Sequence, residues 1–185
     1  KTNALVIVDE AYSEFSEIDS AIFGTVGKFE NLIVLKTLSK AYGMAAIRLG
    51  IASSNRVVIS ALRKIKSPYN VNTISQVFAR IIVSHRDEIE ERAKLISGET
   101  QKLCDMLAGI DSLFVKKVFR TQANFILVEL NSTETAINLT KMLAEAGIAI
   151  RCFASKACVR ISCGTNSENY AVYCEIVKIL KKLEI

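Results

Sequence analysis

The sequence predicts an α/β unit built on a largely parallel sheet, followed by a smaller α+β unit. Three observations carry this. In the first third, apolar runs are continuous rather than alternating: residues 4–8 ending at Asp9, residues 32–35, and residues 49–52. That is the pattern of strands covered on both faces. A long stretch with one charged face, residues 86–108, then stops at Gly109, as a helix does at a glycine. Beyond it the strand-like and helical segments are shorter and alternate, which suits a small α+β unit. The expected organisation is residues 1–85 as part of the larger unit, 86–108 as an interdomain helix and 109–185 as the small unit.

Each element has a local reason. Asn55 is a suitable N-cap for a helix over 55–66, which must end before Pro68. Helices are expected over 74–84 and 86–108. Strands follow at 113–118 and 124–130, then a helix over 133–146 with Gly147 at its end. Short strands at 148–151 and 159–162 and a final helix over 168–183 complete the chain. Neither repeats nor low-complexity segments interrupt it.

Composition narrows the function. The 185 residues are half hydrophobic, enough for one large core or two small ones. The longest apolar runs are only as long as a buried strand, so neither a membrane span nor a signal peptide is expected. Five cysteines (Cys104, Cys152, Cys158, Cys163, Cys174) form an odd set without CxxC spacing. They are expected to be reduced thiols of a cytoplasmic protein, not metal ligands. The single histidine, His85, precedes Arg86 and Asp87 and is expected at the surface; a histidine triad or multi-histidine metal site is excluded. The formal charge is +5, but basic residues are interleaved with acids, as in 87–94. The clusters Arg63/Lys64/Lys66, Lys116/Lys117/Arg120 and Lys178/Lys181/Lys182 lack interleaved aromatics, so solvated faces are expected rather than a nucleic-acid stripe. No methionine precedes Lys1 and a buried-type strand begins within four residues, so a portion of a longer protein is expected.

Three segments can carry chemistry. The stretch TLSKAYGMAA (37–46), followed by Arg48 and Gly50, sets Lys40 among small uncharged neighbours just after an apolar run. An apolar wall would favour a neutral amine, the form that attacks a carbonyl; the bland alternative is a solvated loop lysine. Arg48 offers a planar fork for a phosphate and Ser39 a hydroxyl for the same group, or they are a structural arginine and a cap. In DEAYSEF (9–15), Asp9 ends its strand where ligands gather in open α/β sheets. Its carboxylate can hold a pyridine nitrogen protonated, and Tyr12 can hydrogen-bond a phenolic oxygen of the same ring. A metal-binding carboxylate or a helix cap suits Asp9 equally. In VRISCGT (159–165), Arg160 lies in an apolar strand and must meet an anion, either a ligand or a structural partner.

These segments resemble those of histidinol-phosphate aminotransferases, a branch of the fold-type I, class II aminotransferases. TLSKAYGMAA fits the family's lysine signature, DEAYSEF its Asp-Glu-Ala-Tyr-x-Glu-Phe motif, VRISCGT its apolar-Arg-Ile-x-x-Gly-Thr stretch, and PYNVN (68–72) a stretch common in this branch. Ala46 stands where the family often has glycine. The resemblance implies the fold of the pyridoxal-phosphate-dependent transferases, with this chain as the second part of the large parallel-sheet domain plus the small C-terminal α+β domain. It implies pyridoxal 5'-phosphate as cofactor, linked to Lys40, with Asp9 on the pyridine nitrogen, Tyr12 on the ring hydroxyl, and Ser39 and Arg48 on the phosphate. Arg160 becomes the clamp for the substrate carboxylate. Arg151 becomes a second substrate contact, although Cys152 and Phe153 after it depart from the usual polar loop. The implied reaction converts L-histidinol phosphate and 2-oxoglutarate to imidazole acetol phosphate and glutamate, in histidine biosynthesis. The implied partners are small molecules: an amino acid or amino-alcohol phosphate and a 2-oxo acid, with neither nucleic acid nor membrane. A homodimer is implied for the complete protein. An aromatic aminotransferase, threonine-phosphate decarboxylase or an inactive portion of such an enzyme would share the same residues. The family's phosphate-loop glycines, its asparagine near the ring hydroxyl and its stacking aromatic would lie in a part not seen here.

Overall fold

The computed structural model describes residues 4–17, 20 and 24–184. The chain divides into two compact units, Lys1–Ala93 and Lys94–Ile185, and the division falls within a long helix.

In the first unit, β1 (Val6–Asp9) pairs in parallel with β2 (Leu32–Thr37), with Asp9 beside Leu35. β3 (Gly50–Ser54) pairs with β2 in the opposite direction, Gly50 beside Thr37. The order is β1-β2-β3. The direction of β3 departs from the parallel pattern read from the apolar runs. Residues 38–49 join β2 to β3 with one 3₁₀ turn, Ala45–Ile47, and no crossover helix; without such a helix the returning strand pairs antiparallel. Burial departs as well. Leu32, Ile33 and Val34 of β2 are buried, but Leu5, Val6 and Ile7 are exposed, so the described residues leave β1 uncovered.

The helices follow their caps. In α1 (Arg56–Ile65), Asn55 Oδ1 accepts from the amides of Val57 and Val58 at 2.9 and 3.1 Å. In α2 (Thr73–Ser84), Asn72 Oδ1 accepts from the Ser75 amide at 2.8 Å. Each bond satisfies an amide that has no partner within its own helix. α3 runs Arg86–Ala108, and the Gly109 amide closes it on the carbonyls of Asp105 and Met106.

The second unit is a four-stranded antiparallel sheet of order β4-β5-β7-β6, formed by β4 (Val115–Phe119), β5 (Phe125–Leu130), β6 (Arg151–Phe153) and β7 (Cys158–Ser162). Ile126, Val128 and Leu130 alternate inward along β5. They pack into one core with α4 (Thr133–Glu145), α5 (Asn166–Leu183) and the end of α3. Each fully buried leucine or isoleucine there contributes about 1.5–3 kcal/mol. Residues 148–150, expected in a strand, instead complete the exit from α4. Gly147 takes φ +81°, and the Ile148 amide bonds the Leu143 carbonyl at 2.8 Å, a left-handed helix stop. The strand begins only at Arg151.

The final helix starts at Asn166, two residues earlier than the sequence predicts, because Thr165 and Glu168 cap each other reciprocally. Among the described residues no helix is long and apolar enough to cross a membrane. No group of three metal-binding side chains comes together among them. All five cysteines are free.

Candidate functional site

Strand pairing gathers the first unit's candidates. β1 and β2 run in parallel, so Asp9 and the segment after Thr37 leave the sheet at the same edge. β3 runs back, so Arg48, just before Gly50, meets that edge too.

Asp9 is exposed, and its Oδ1 accepts from the Ala11 amide at 3.0 Å. This turn leads the chain to Tyr12, whose ring lies 6.4 Å from that of the buried Phe15. After β2, Thr37 Oγ1 accepts from the Ser39 amide at 3.1 Å. The Gly43 amide bonds the Lys40 carbonyl at 2.9 Å, with Gly43 at φ +67°, a conformation natural to glycine. The turn aims Lys40 at Tyr12: Nζ lies 5.4 Å from the ring centroid.

Lys40 itself is exposed. The apolar wall read from residues 32–35 is absent at its amine, because Leu32, Ile33 and Val34 are buried within the sheet and do not line the turn. Arg48 is exposed and left-handed at φ +53°, its Nη1 donating to the Ala45 carbonyl at 3.1 Å. The buried Ser75 hydroxyl donates to the Ile47 carbonyl at 2.7 Å. The PYNVN stretch thus leads into a helix that pins the peptide before Arg48. Ser39 is half-buried beside Lys40.

A polar cluster missed in the sequence lies beside this edge. Lys36 Nζ donates to Ser13 Oγ at 2.8 Å and to Glu14 Oε1 at 3.1 Å, and lies 3.5 Å from Glu10 Oε2. Ser13 in turn donates to the Glu10 carbonyl at 3.0 Å, and Ser20 donates to Glu10 Oε2. Among the described residues the buried Glu14 Oε2 accepts no hydrogen bond. Burial pushes the Tyr42 phenol up, the Glu14 carboxylate adds to this and Lys36 opposes it. One signal was available: a lysine inside an apolar strand, with two acids in the facing motif.

In the second unit, Arg160 on β7 stands directly beside Arg151 on β6. Direct partners share a sheet face. The Arg160 guanidinium lies 5.0 Å from the Phe125 ring centroid, and its buried Nε has no hydrogen-bond partner among the described residues. Arg151 is exposed, 5.6 Å from the Phe153 ring centroid. Among the described residues neither forms an ion pair. Two adjacent guanidinium groups, one with a buried unused donor, suit an anion.

The first unit brings an amine, a carboxylate and a guanidinium to one sheet edge, and the second unit carries two arginines side by side on one sheet face. The chain belongs to the family "Aminotransferase class I and II", whose model matches residues 1–177. It is 34% identical over 182 residues to a histidinol-phosphate aminotransferase of Ruminiclostridium cellulolyticum, covering 96% of this chain and 49% of that protein. It is 39% identical over 176 residues to one of Flavobacterium johnsoniae, covering 93% and 49%. The crystal structure of the histidinol-phosphate aminotransferase from Clostridium acetobutylicum superposes with a TM-score of 0.86 at 25% identity, covering 97% of this chain and 55% of that one. The chain therefore spans about half the length of the curated relatives it matches.

Proposed function

We propose that the protein containing this chain is a pyridoxal-phosphate-dependent aminotransferase that converts L-histidinol phosphate and 2-oxoglutarate to imidazole acetol phosphate and glutamate. The observation that carries the reading is the approach of Lys40 Nζ to the Tyr12 ring, 5.4 Å from its centroid, at the edge where Asp9 also ends its strand. The donor set fits pyridoxal phosphate. An exposed amine suits an aldehyde, a carboxylate suits a ring nitrogen, a phenol suits a ring hydroxyl, and Arg48 with Ser39 suits a phosphate. When bound, the group supplies an electron sink for the bonds of the substrate's α-carbon.

The chain's own residues supply the rest. Lys40 would hold the cofactor, and its amine would carry the α-proton as general base and acid. Asp9, anchored by the Ala11 amide, keeps a positive charge on the ring nitrogen. Tyr12 would bond the ring hydroxyl, and Arg48 and Ser39 would fix the phosphate. Arg160 clamps an anionic end of the substrate, its unused Nε supporting that role, and Arg151 adds a second contact. A cytoplasmic homodimer acting in histidine biosynthesis completes the reading.

Borohydride reduction of the intact protein with pyridoxal phosphate, followed by peptide mapping, tests the site. The expected product is a pyridoxyl mass on the Lys40 peptide, and its absence there refutes the assignment. Glutamate formation from histidinol phosphate and 2-oxoglutarate tests the substrate. Turnover only of aromatic amino acids, or carbon dioxide release from threonine phosphate, replaces the substrate reading and leaves the site reading intact.

A further inference from the structure

We infer that Lys36 is a positioning residue that locks the turn bearing Lys40 to the segment bearing Asp9 and Tyr12. The inference rests on the site reading above and assigns a role to a residue outside it. Asp9 and Lys40 stand on different segments, and the backbone ladder joins those segments only up to the Glu10 amide, which bonds the Leu35 carbonyl at 2.8 Å. Beyond that bond, residues 11–15 and 38–48 hold only short 3₁₀ turns, Ser13–Phe15 and Ala45–Ile47. Lys36 is the first side chain after this point on β2, and its ammonium reaches across to Ser13 Oγ, Glu14 and Glu10. All three lie on the segment that carries Tyr12.

The cluster is shielded: side-chain exposure is 18% for Lys36, 8% for Glu10 and 9% for Glu14. Two carboxylates so close together and so little hydrated repel each other unless a cation stands between them. Lys36 is that cation. Removing it leaves two facing buried charges, which drives residues 10–15 away from β2 and carries Tyr12 from Lys40. The Tyr42 phenol, raised by burial and by Glu14, marks the other side of the coupling: the residue two positions after Lys40 senses the same carboxylate.

The geometry explains why two carboxylates sit beneath an edge that must accept an anionic ligand. Their charge holds the lysine of β2 in place, and the exposed cations Lys40 and Arg48 are left to the ligand.

The test compares Lys36→Met, Lys36→Arg and the double variant Lys36→Met/Glu14→Gln in the intact protein. Lys36→Met keeps the stem and removes the charge. Lys36→Arg keeps the charge, and the double variant removes one charge of each sign. Two readouts are taken. One is the rate of borohydride-trapped pyridoxyl incorporation at Lys40. The other is amide hydrogen exchange of segments 10–16 and 38–44, which needs no cofactor.

Positioning predicts that Lys36→Met slows incorporation by about 10-fold or more, as ångström-scale misplacement does, and speeds exchange in both segments together. Lys36→Arg stays near the parent in both readouts, and the double variant recovers a large part of the loss. If Lys36→Met does not fold, a folded double variant with slowed incorporation and faster exchange in both segments supports the role, and parental values in both overturn it. A folded Lys36→Met with parental incorporation and exchange overturns it as well. If the parent itself takes no label at Lys40, the site reading fails. Exchange then decides the Lys36 lock alone: joint loosening supports it, and unchanged exchange refutes it.

Discussion

Arg160→Met should make the ligand-free protein more stable while weakening substrate binding. In the structure Arg160 has a buried Nε with no hydrogen-bond partner, and a donor left unsatisfied in this way costs about 1–3 kcal/mol. Arg151 stands beside it as a like charge; exposure of Arg151 keeps the repulsion near the low end, about 0.2 kcal/mol. Against these stands the contact with the Phe125 ring at 5.0 Å, which contributes about 0.5–1 kcal/mol. Methionine keeps most of the aliphatic stem's packing. The balance favours the variant by roughly 1 kcal/mol, or about 2–4 °C in a chain of this size. Loss of a two-point grip on a carboxylate, at about 1.5–3 kcal/mol for each charged hydrogen bond, should raise the substrate KM by at least about 100-fold. Thermal unfolding by circular dichroism without ligand, together with steady-state kinetics, checks both halves. A variant that melts below the parent refutes the reasoning, because Arg160 would then have been stabilising the apo fold.

Thr165→Ala removes the N-cap of α5 and should cost about 1 kcal/mol, read by the same melting experiment. Gly164→Ala should move stability in the same direction, because an added Cβ would lie 3.0 Å from Glu168 Cβ and 2.7 Å from its Oε2 and displace the reciprocal cap. Glu168 is held below the ordinary carboxylate range by the Thr165 amide and hydroxyl. Its folded value is depressed, so its contribution is present above the ordinary carboxylate pKa and is lost as pH falls through the lowered value; Glu168→Gln should flatten the acid limb of a stability-versus-pH curve. Lys40→Ala should abolish pyridoxyl labelling of that peptide and lower transamination by about 10⁴-fold. Retention of either would remove Lys40 from the chemistry.

The elements most legible in the sequence were those whose determinants are local. Asn55 sets a helix start through side-chain bonds to amides two and three residues away, so that helix could be placed within a residue or two. Strand direction was not local. Nothing in residues 49–52 says that β3 runs antiparallel; the absence of a crossover helix in 38–49 decides it. The candidates of the first unit were recognisable because Asp9, Lys40 and Arg48 fall at strand ends, and register then brings them to one edge. The exposure of Lys40 was not legible, since the side chains expected to wall it in turn into the sheet. Arg160 stood out as a cation in an apolar strand, and its unused Nε is the physical form of that anomaly. Lys36 carried the same kind of signal and was passed over because its partners are more than twenty residues away in the chain.

The uncovered β1 has a practical side. It is an edge of its sheet, and its residues Val6, Ile7 and Val8 carry none of the lysines, prolines or bulges that keep sheet edges from recruiting neighbours. Its amides and carbonyls on the outer side form a ready template for another strand, and the exposed side chains of Leu5, Val6 and Ile7 are apolar. Handled on its own, this polypeptide would be colloidally fragile. Its solubility, more than its melting temperature, would set the concentrations at which it can be assayed.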